Sequence, residues 1–515
     1  VSIELRPGGS YIAPVSDGCL DNKRKMYQIL DPIESLGDLY GTWRCQVHRG
    51  CVHNEKTGLL GRVLGNVPAP TAKGIKQLKA GLNRITGWLC TKHVFQRRSY
   101  EDIVSHYTGA KRTKYERAAA TLSDHPVEAR DARVTLFVKG EKRKEHDLKD
   151  PRVIQFRTPR YNIELATFLK PVEHAFLRYR GCRRGVRKSF VIAKGRDSVE
   201  RAQLISFKMQ QFGDPVCVPL DAKRFDKHVA SECLEQEHRV YNTLWKDPTL
   251  AKLLRMQINN KGRSMCGIKY KVKGNRMSGD YNTGLGNCLL VAAMVEEWLR
   301  RLKLKRFDYF ADSDDCLVFL ERADLQRLLD DVDQAFLEYG HEVTVDEVAY
   351  ELWDVQHCQA KPVVTASGVR MIRDWRKVVS QAFAGYAHYY DPKGGMRVMK
   401  SVAQCELVLN AGVPILQPMS QHILRLLESK RFATLDLRDK SAWLASIEAR
   451  RRHFDWTDDV SVEITPEARS SFERVFGVTR EQQLAIEARL CSLTYSEIDL
   501  SRRVERFPDV DQWFY

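Results

Sequence analysis

The chain has 515 residues, 43% of them hydrophobic, and a formal charge of +17 from 83 Lys and Arg against 66 Asp and Glu. That apolar content, with no low-complexity tract, excludes a disordered chain, and no run of 18 apolar residues is present to cross a bilayer. The basic excess points to an anionic partner, nucleic acid before membrane.

The chain opens on Val-Ser-Ile, with no initiator Met and no signal pattern, so a segment of a longer product is expected. Thirteen scattered cysteines, an odd number, fit reduced thiols. One group, Cys45, His48, Cys51 and His53, offers zinc-type ligands, but its spacing matches no common finger and would cramp a tetrahedron. The first 90 or so residues are mixed and punctuated by Gly and Pro. From Lys139 to Lys194 the chain becomes dense in Arg and Lys, interleaved with Phe156, Tyr161 and Tyr179. A solvated face is the ordinary reading of such a run. Aromatics between the cations favour a channel that tracks phosphates and stacks bases.

The apolar run Val216 to Leu220 reads as a buried strand that delivers Asp221 at its end, with Asp226 five residues on. A Gly-punctuated loop, "GNRMSGDYNTGLGN", then runs into a helix in which Leu285, Leu289, Ala292, Val295, Trp298 and Leu302 form one apolar stripe. In "RFDYFADSDDCLVFLE" two short apolar strands flank Asp312, Ser313, Asp314 and Asp315. Alone, this is an acidic hairpin turn. The last 140 residues read as mainly helical, with a basic knot at Arg450, Arg451 and Arg452 beside Phe454 and Trp456.

Carboxylates crowded in a turn repel one another unless a cation lies between them. Joining nucleotides needs such cations. One divalent ion makes a 3′-hydroxyl a better nucleophile, and a second neutralises the leaving pyrophosphate. Mg²⁺ takes oxygen ligands and keeps several waters, so a few acids converging from separate strands suffice. Strands of one sheet lie about 4.8 Å apart, close enough for Asp221 and Asp314 to share ions.

The order and spelling of these segments resemble viral RNA-dependent RNA polymerases of the tombusvirus-like, carmovirus-type branch of positive-strand RNA viruses. "DAKRFD" is similar to the family's motif A, "SGDYNTGLGN" to motif B, and "SDD" to motif C. "FVKGEK…PRVIQFRTPRYNIELATFLKPVEH" resembles motif F, "HCQAKPV" motif E, and "CVHNEKTGLLGRV" and "YTGAKRTKYERA" segments upstream. The resemblance covers roughly residues 45 to 375, and it gives His53 a reading other than zinc.

The resemblance implies an α+β right-hand fold of fingers, palm and thumb, with an antiparallel palm sheet flanked by helices and a mainly helical thumb. The expected divisions are an N-terminal region with fingertips (1–120), basic fingers (121–220), a palm (221–374) with a fingers insertion near 239–275, and a thumb (375–515). It implies RNA-directed RNA polymerase activity with two Mg²⁺ ions, for which Mn²⁺ could substitute. Asp221, Asp314 and Asp315 would be the catalytic, metal-binding acids. Asp226 and Asn282, with Thr283, would sense the ribose 2′-hydroxyl, and Ser278 and Gly279 would form the loop against the template pair, while Asn287 is read as a supporting hydrogen-bonder. Lys142, Arg152 and Arg157 would hold the triphosphate, with Lys139 beside them, and Arg160, Cys358 and Gln359 would meet RNA. Implied partners are template and nascent RNA, NTPs, a viral auxiliary protein, and a host membrane reached through a partner or an N-terminal extension. The implied location is a membrane-associated replication complex in the host cytoplasm.

Two departures stand out. Ser313 replaces the usual Gly of the hairpin, and Thr344 stands where motif D often has a lysine, with His341 nearby as a conceivable but less favoured proton donor. Three rivals remain open: a reverse transcriptase, which would want a bulky residue against the 2′-hydroxyl; a metal-dependent nuclease; and an RNA-binding scaffold with a dead palm.

Overall fold

The computed structural model describes residues 3–14, 26–145, 147, 149–181, 185–386, 389, 391–429, 441–455, 458–500 and 505–507. Arg183 and Arg184 of the basic tract and Trp456 beside the basic knot lie outside the described residues.

A four-stranded antiparallel sheet stands at the centre. Its order is Phe307–Asp312, Asp315–Glu321, Pro215–Ala222, Val343–Val345. The strand Pro215–Ala222, which carries Asp221 one residue from its end, is therefore internal, with the acidic hairpin on one side. Both faces of the sheet are covered, which is why its strands read as continuous apolar runs rather than alternating ones. Val216, Val218, Leu220, Val318 and Leu320 enter the large core. Cys217, Leu317 and Phe319 point the other way, into a smaller core shared with Ala202, Ile205 and Met209 of the helix Ser198–Met209.

The helix Thr283–Arg301 lies on the large-core face. The expected stripe is buried there from Leu285 to Trp298, with Leu302 half-buried just past the helix end, but so are Gly286, Asn287, Leu290, Ala293 and Glu296 on other sides. The helix Ala72–Lys92 presses on it closely enough that a Cβ on Gly81 would stand 2.6 Å from the Ala293 carbonyl oxygen. Hydrophobic periodicity marks one buried face and understates a helix enclosed all round.

A second sheet, of five strands, has the order Ser10–Ile12, Lys269–Lys273, Asn259–Ser264, Val134–Val138, Val153–Phe156. It is antiparallel except for the parallel pairing of Val134–Val138 with Asn259–Ser264. A two-stranded hairpin, Ala360–Thr365 with Gly368–Arg373, leads into the C-terminal region. That region is built chiefly of helices, among them Pro392–Leu409, Leu416–Leu426, Pro466–Phe476 and Arg480–Leu490. The whole is a mixed α+β chain with several small sheets, as the sequence led one to expect.

Candidate active site

The hairpin and the internal strand bring the acids together. Asp221 pairs in register with Asp315 on one side and Thr344 on the other, and Asp312 faces Asp315 across the turn. Ser313 and Asp314 form the two-residue turn, and Ser313 takes φ 61°, the left-handed conformation that Gly adopts without cost. Its backbone N–H points to Cys288 Sγ at 3.4 Å, which ties the turn to the helix Thr283–Arg301.

The three acids of the hairpin are not equivalent. Asp312 is neutralised by Arg201, 2.5 Å away. Among the described residues Asp314 is in no ion pair, although the charge of Arg152 is felt there. Burial, and then the negative charges of Asp226 and Asp221, push its carboxyl up to about 6. Asp315 is likewise pushed up to about 6, by burial and by Asp314, Asp221 and Asp312. Asp315 keeps an exposed side, so solvent screens part of that repulsion. Among the described residues no three metal-type side chains already converge in a closed cage. The donor set nonetheless suits a hard divalent cation: oxygen-only, mutually repelling, and in need of positive charge. Asp221, Asp314 and Asp315 would hold it.

Asp226 sits close enough to be felt at Asp314. Burial raises its pKa, and a hydrogen bond from Asn287 Nδ2 to its Oδ1 at 2.9 Å opposes the rise. Here the structure corrects the sequence reading. Asn282 is fully buried, its Nδ2 donating to Glu237 Oε1 (3.0 Å) and its Oδ1 accepting from Gln257 (2.9 Å), so its amide faces inward. Asn287, one turn further along, is the amide that meets Asp226. Thr283 is also engaged locally, its hydroxyl donating to the carbonyls of Met277 and Asp280.

The loop before the helix is pinned to the Val153–Phe156 strand. Gly279 N donates to the Gln155 carbonyl at 2.7 Å, and Ser278 Oγ accepts from Gln155 N at 3.2 Å. A Cβ on Gly279 would stand 2.5 Å from Phe156 Cβ, so this approach requires glycine.

The basic residues divide into two groups. Arg152 is exposed, bonded to Glu141 at 3.1 Å, and its charge is felt at both Asp314 and Asp226. With Lys142, whose Nζ donates to the Gln381 carbonyl at 2.8 Å, it lines a cavity of about 1170 Å³ that also takes in Lys144, Gln359, Lys377 and Tyr386. Lys139 is paired with Glu141 at 2.6 Å. Asp221, Asp314 and Asp315 are not on the cavity wall, whereas Arg152 is, and it is the lining residue whose charge acts on Asp314.

Arg157 does not belong with these. Its guanidinium is fully buried, Nε shared between both carboxylate oxygens of Asp280 at 3.0 Å and the terminal nitrogens bonded to Asn260 and to the carbonyls of Ala132 and Met256. Such a residue locks the loop and cannot reach a triphosphate. Arg160 is similarly spent, on Asp131, Thr121 and the carbonyls of His125 and Pro126. Tyr161 and Tyr179, expected to stack bases, are core residues whose hydroxyls donate to the Leu253 carbonyl and to Glu296. Isolated Arg and Tyr look alike in sequence whether they serve core or cleft.

Cys358 and Gln359 occupy a tight turn with φ 50° and 61°. The thiol of Cys358 accepts from Arg201 at 3.5 Å, whereas Gln359 reaches the cavity and accepts from Lys377. His357 beside them is buried neutral, its pKa lowered to about 4, and donates through Nε2 to the Asp315 carbonyl at 3.2 Å. His341 is buried too, its pKa lowered to about 3, and it is no proton donor at neutral pH. In the Cys45 group, Cys45 Sγ lies 3.2 Å from the Ser380 carbonyl and His48 meets Arg143, an arrangement made of protein contacts.

Asn287, read from the sequence as a supporting hydrogen-bonder, has Asp226 as its partner; two residues that the sequence reading did not single out lie behind it, Arg276, which donates to Asn287 Oδ1 at 2.9 Å, and Glu237, which accepts from Arg276. Arg276 carried a faint signal, a lone cation inside a Gly- and Asn-rich loop. Glu237 carried none, being one acid on an amphipathic helix.

Comparison with known proteins gives the family. The family described as "Viral RNA dependent RNA polymerase" matches residues 23–497. The chain is 33% identical over 462 residues to the RNA-directed RNA polymerase of Tomato bushy stunt virus (strain Cherry), covering 87% of this chain and 54% of that protein. It is 32% identical over 510 residues to that of Carnation mottle virus (96% and 64%) and 34% identical over 457 residues to that of Turnip crinkle virus (86% and 57%). The chain thus spans between about half and two thirds of the length of these relatives. With a match running over nearly all of its length, the chain belongs to the viral RNA-dependent RNA polymerase family.

Proposed function

We propose that the chain is the polymerase region of a positive-strand RNA virus replicase, joining NTPs on an RNA template by two-metal nucleotidyl transfer. The observation that carries this reading is the register that sets Asp221 against Asp315, with Asp314 in the adjoining turn, its carboxyl raised by burial and by the neighbouring acids and in no ion pair among the described residues. Two Mg²⁺ ions, when bound, would lower the pKa of the attacking 3′-hydroxyl and neutralise the departing pyrophosphate. Asp221, Asp314 and Asp315 would hold them. Arg152 and Lys142 would orient the triphosphate at the mouth of the basic cavity, with Lys139 and Gln359 at its margin. Asp226 and Asn287 would meet the ribose 2′-hydroxyl, the group that separates RNA from DNA precursors. Ser278 and Gly279 would carry the loop beside the template pair.

A right-hand organisation suits these parts. The four-stranded sheet would be the palm, the five-stranded sheet the fingers and the C-terminal helices the thumb. The sheet shared by residues 134–156 and 259–273 supports treating 239–275 as a fingers insertion. Template and nascent RNA are the expected partners, together with an auxiliary viral protein. Among the described residues no helix is long and apolar enough to cross a membrane, so attachment to a replication membrane in the host cytoplasm would come through a partner or another segment.

A reverse transcriptase reading is disfavoured because the groups that would meet the sugar in this proposal, Asp226 and Asn287, are polar rather than bulky and aromatic. Polymerisation on a short RNA template with Mg²⁺ tests the proposal. Wild type should extend with NTPs, and Asp314→Ala should lose at least about a hundredfold in rate while keeping its fold. Equal product from the two proteins would overturn it.

A further inference from the structure

Behind the Asp226–Asn287 contact lies a chain of buried polar groups that none of the catalytic motifs explains. Arg276 Nε donates to Asn287 Oδ1 at 2.9 Å. The other end of the same guanidinium is held by Glu237, Nη1 at 3.3 Å from Oε1 and Nη2 on Oε2. Tyr241 Oη donates to Glu237 Oε1 at 2.7 Å, and Asn282 Nδ2 at 3.0 Å. Arg276 also holds Asp226 through the main chain, its N–H on the Asp226 carbonyl at 2.9 Å. Glu237 is wholly buried and Arg276 is 2% exposed, so no water replaces these bonds cheaply.

The order of donors and acceptors is directional. A carboxylate only accepts and a guanidinium only donates, whereas a side-chain amide does either, depending on which way it is turned. With Arg276 donating to one end of Asn287, that end must be the carbonyl, and the NH₂ is left pointing at Asp226. We propose that Arg276, clamped by Glu237, is a positioning residue that fixes the Asn287 amide and thereby sets the enzyme's preference for ribonucleotides. Asp226 Oδ1 is then satisfied by Asn287, and Oδ2, which has no hydrogen bond among the described residues, is the oxygen presented to a 2′-hydroxyl.

A second observation supports the device. Residue 286, immediately before Asn287 and inside the helix Thr283–Arg301, is glycine, which a helix interior disfavours. A Cβ there would stand 2.3 Å from Glu237 Oε1 and 2.5 Å from Arg276 Nη2. The helix forgoes a side chain at the one place where the Arg–Glu pair passes beneath it.

The inference rests on the proposed polymerase reading, and the test separates the two. Single-nucleotide incorporation of ATP and 2′-dATP is measured as a ratio of kcat/KM for wild type, Asn287→Ala, Arg276→Lys and Arg276→Lys in the Asn287→Ala background. Lysine keeps the charge beside Glu237 but lacks the planar array in which Nε serves Asn287 while the terminal nitrogens serve Glu237. Arg276→Lys should lower the ribo/deoxy ratio about tenfold, the worth of one misdirected hydrogen bond, as should Asn287→Ala, and the pair together no further. A merely structural Arg276 would depress both substrates alike and leave the ratio untouched. Where Arg276→Lys does not fold, Arg276→Met with Glu237→Gln removes both charges at once and gives the same reading. An unchanged ratio in the Arg276 variants overturns the relay while wild-type extension upholds the polymerase. An unchanged ratio in Asn287→Ala overturns it equally, and no extension by wild type removes both.

Discussion

Substituting Gly279 by Ala puts one methyl group where the loop meets the Val153–Phe156 strand. The added carbon would stand 2.5 Å from Phe156 Cβ, 2.8 Å from the Gln155 carbonyl oxygen and 3.0 Å from Phe156 Cα. Two of these three neighbours are backbone, and none is the far end of a flexible side chain. Accommodating the overlap costs about 1–3 kcal/mol if the strand shifts. If the loop lifts instead, it loses the Gly279 N–H to Gln155 bond of 2.7 Å and weakens the Gln155 N–H to Ser278 bond of 3.2 Å. Each is worth about 1 kcal/mol net, so either route costs about 2 kcal/mol. At about 1.4 kcal/mol per tenfold, the closed loop becomes some 30-fold less favoured. Amide hydrogen exchange over 153–156 and 278–280 should speed up by that factor, and the incorporation rate should fall with it. Gly87→Ala is the control, since nothing lies within 4 Å of its Cβ, and in a helix interior it should stabilise by about 0.5–1 kcal/mol. Unchanged exchange and extension in Gly279→Ala would refute the claim that this contact positions the loop.

Other consequences follow from the same structure. Lys208 and Asp308 form an ion pair with both side chains fully buried, so Lys208→Met should cost about 3–5 kcal/mol in denaturant unfolding, with most recovered by adding Asp308→Asn; a loss under 1 kcal/mol in the single variant would contradict the pairing. Ser313 holds φ 61°, so Ser313→Gly should unfold within about 0.5 kcal/mol of wild type, whereas the β-branched Ser313→Val should lose more than about 1 kcal/mol; equal thermal midpoints for the two would argue against the left-handed turn. Because the folded Asp314 carboxyl titrates at about 6, above its ordinary range, its contribution to stability without metal is complete below about pH 4 and lost as pH rises through 6. The Tm of metal-free wild type minus that of Asp314→Asn should therefore fall between about pH 4 and 6.5 and level off above, and Mg²⁺ should restore it at pH 7.5; a difference that grows with pH would reverse the assigned shift.

What one chain segment could say about itself was legible without coordinates. The apolar run before Asp221, the turn chemistry of Asp312 to Asp315, and the glycines before the helix at Thr283 each depend on local preferences and nearest neighbours. They fixed the strand, the hairpin, the loop and their acids in order. The tertiary structure alone decided the assignments that depend on which distant group lies opposite. Arg157 and Arg152 are five positions apart in one basic tract, yet one is locked onto Asp280 and the other faces the acids. Asn282 and Asn287 share one loop-to-helix motif, yet a turn of helix sends the first inward to Glu237 and Gln257 and the second to Asp226. Burial and partnership arise from residues tens to hundreds of positions away, whose charge and shape no window around an Arg or an Asn contains.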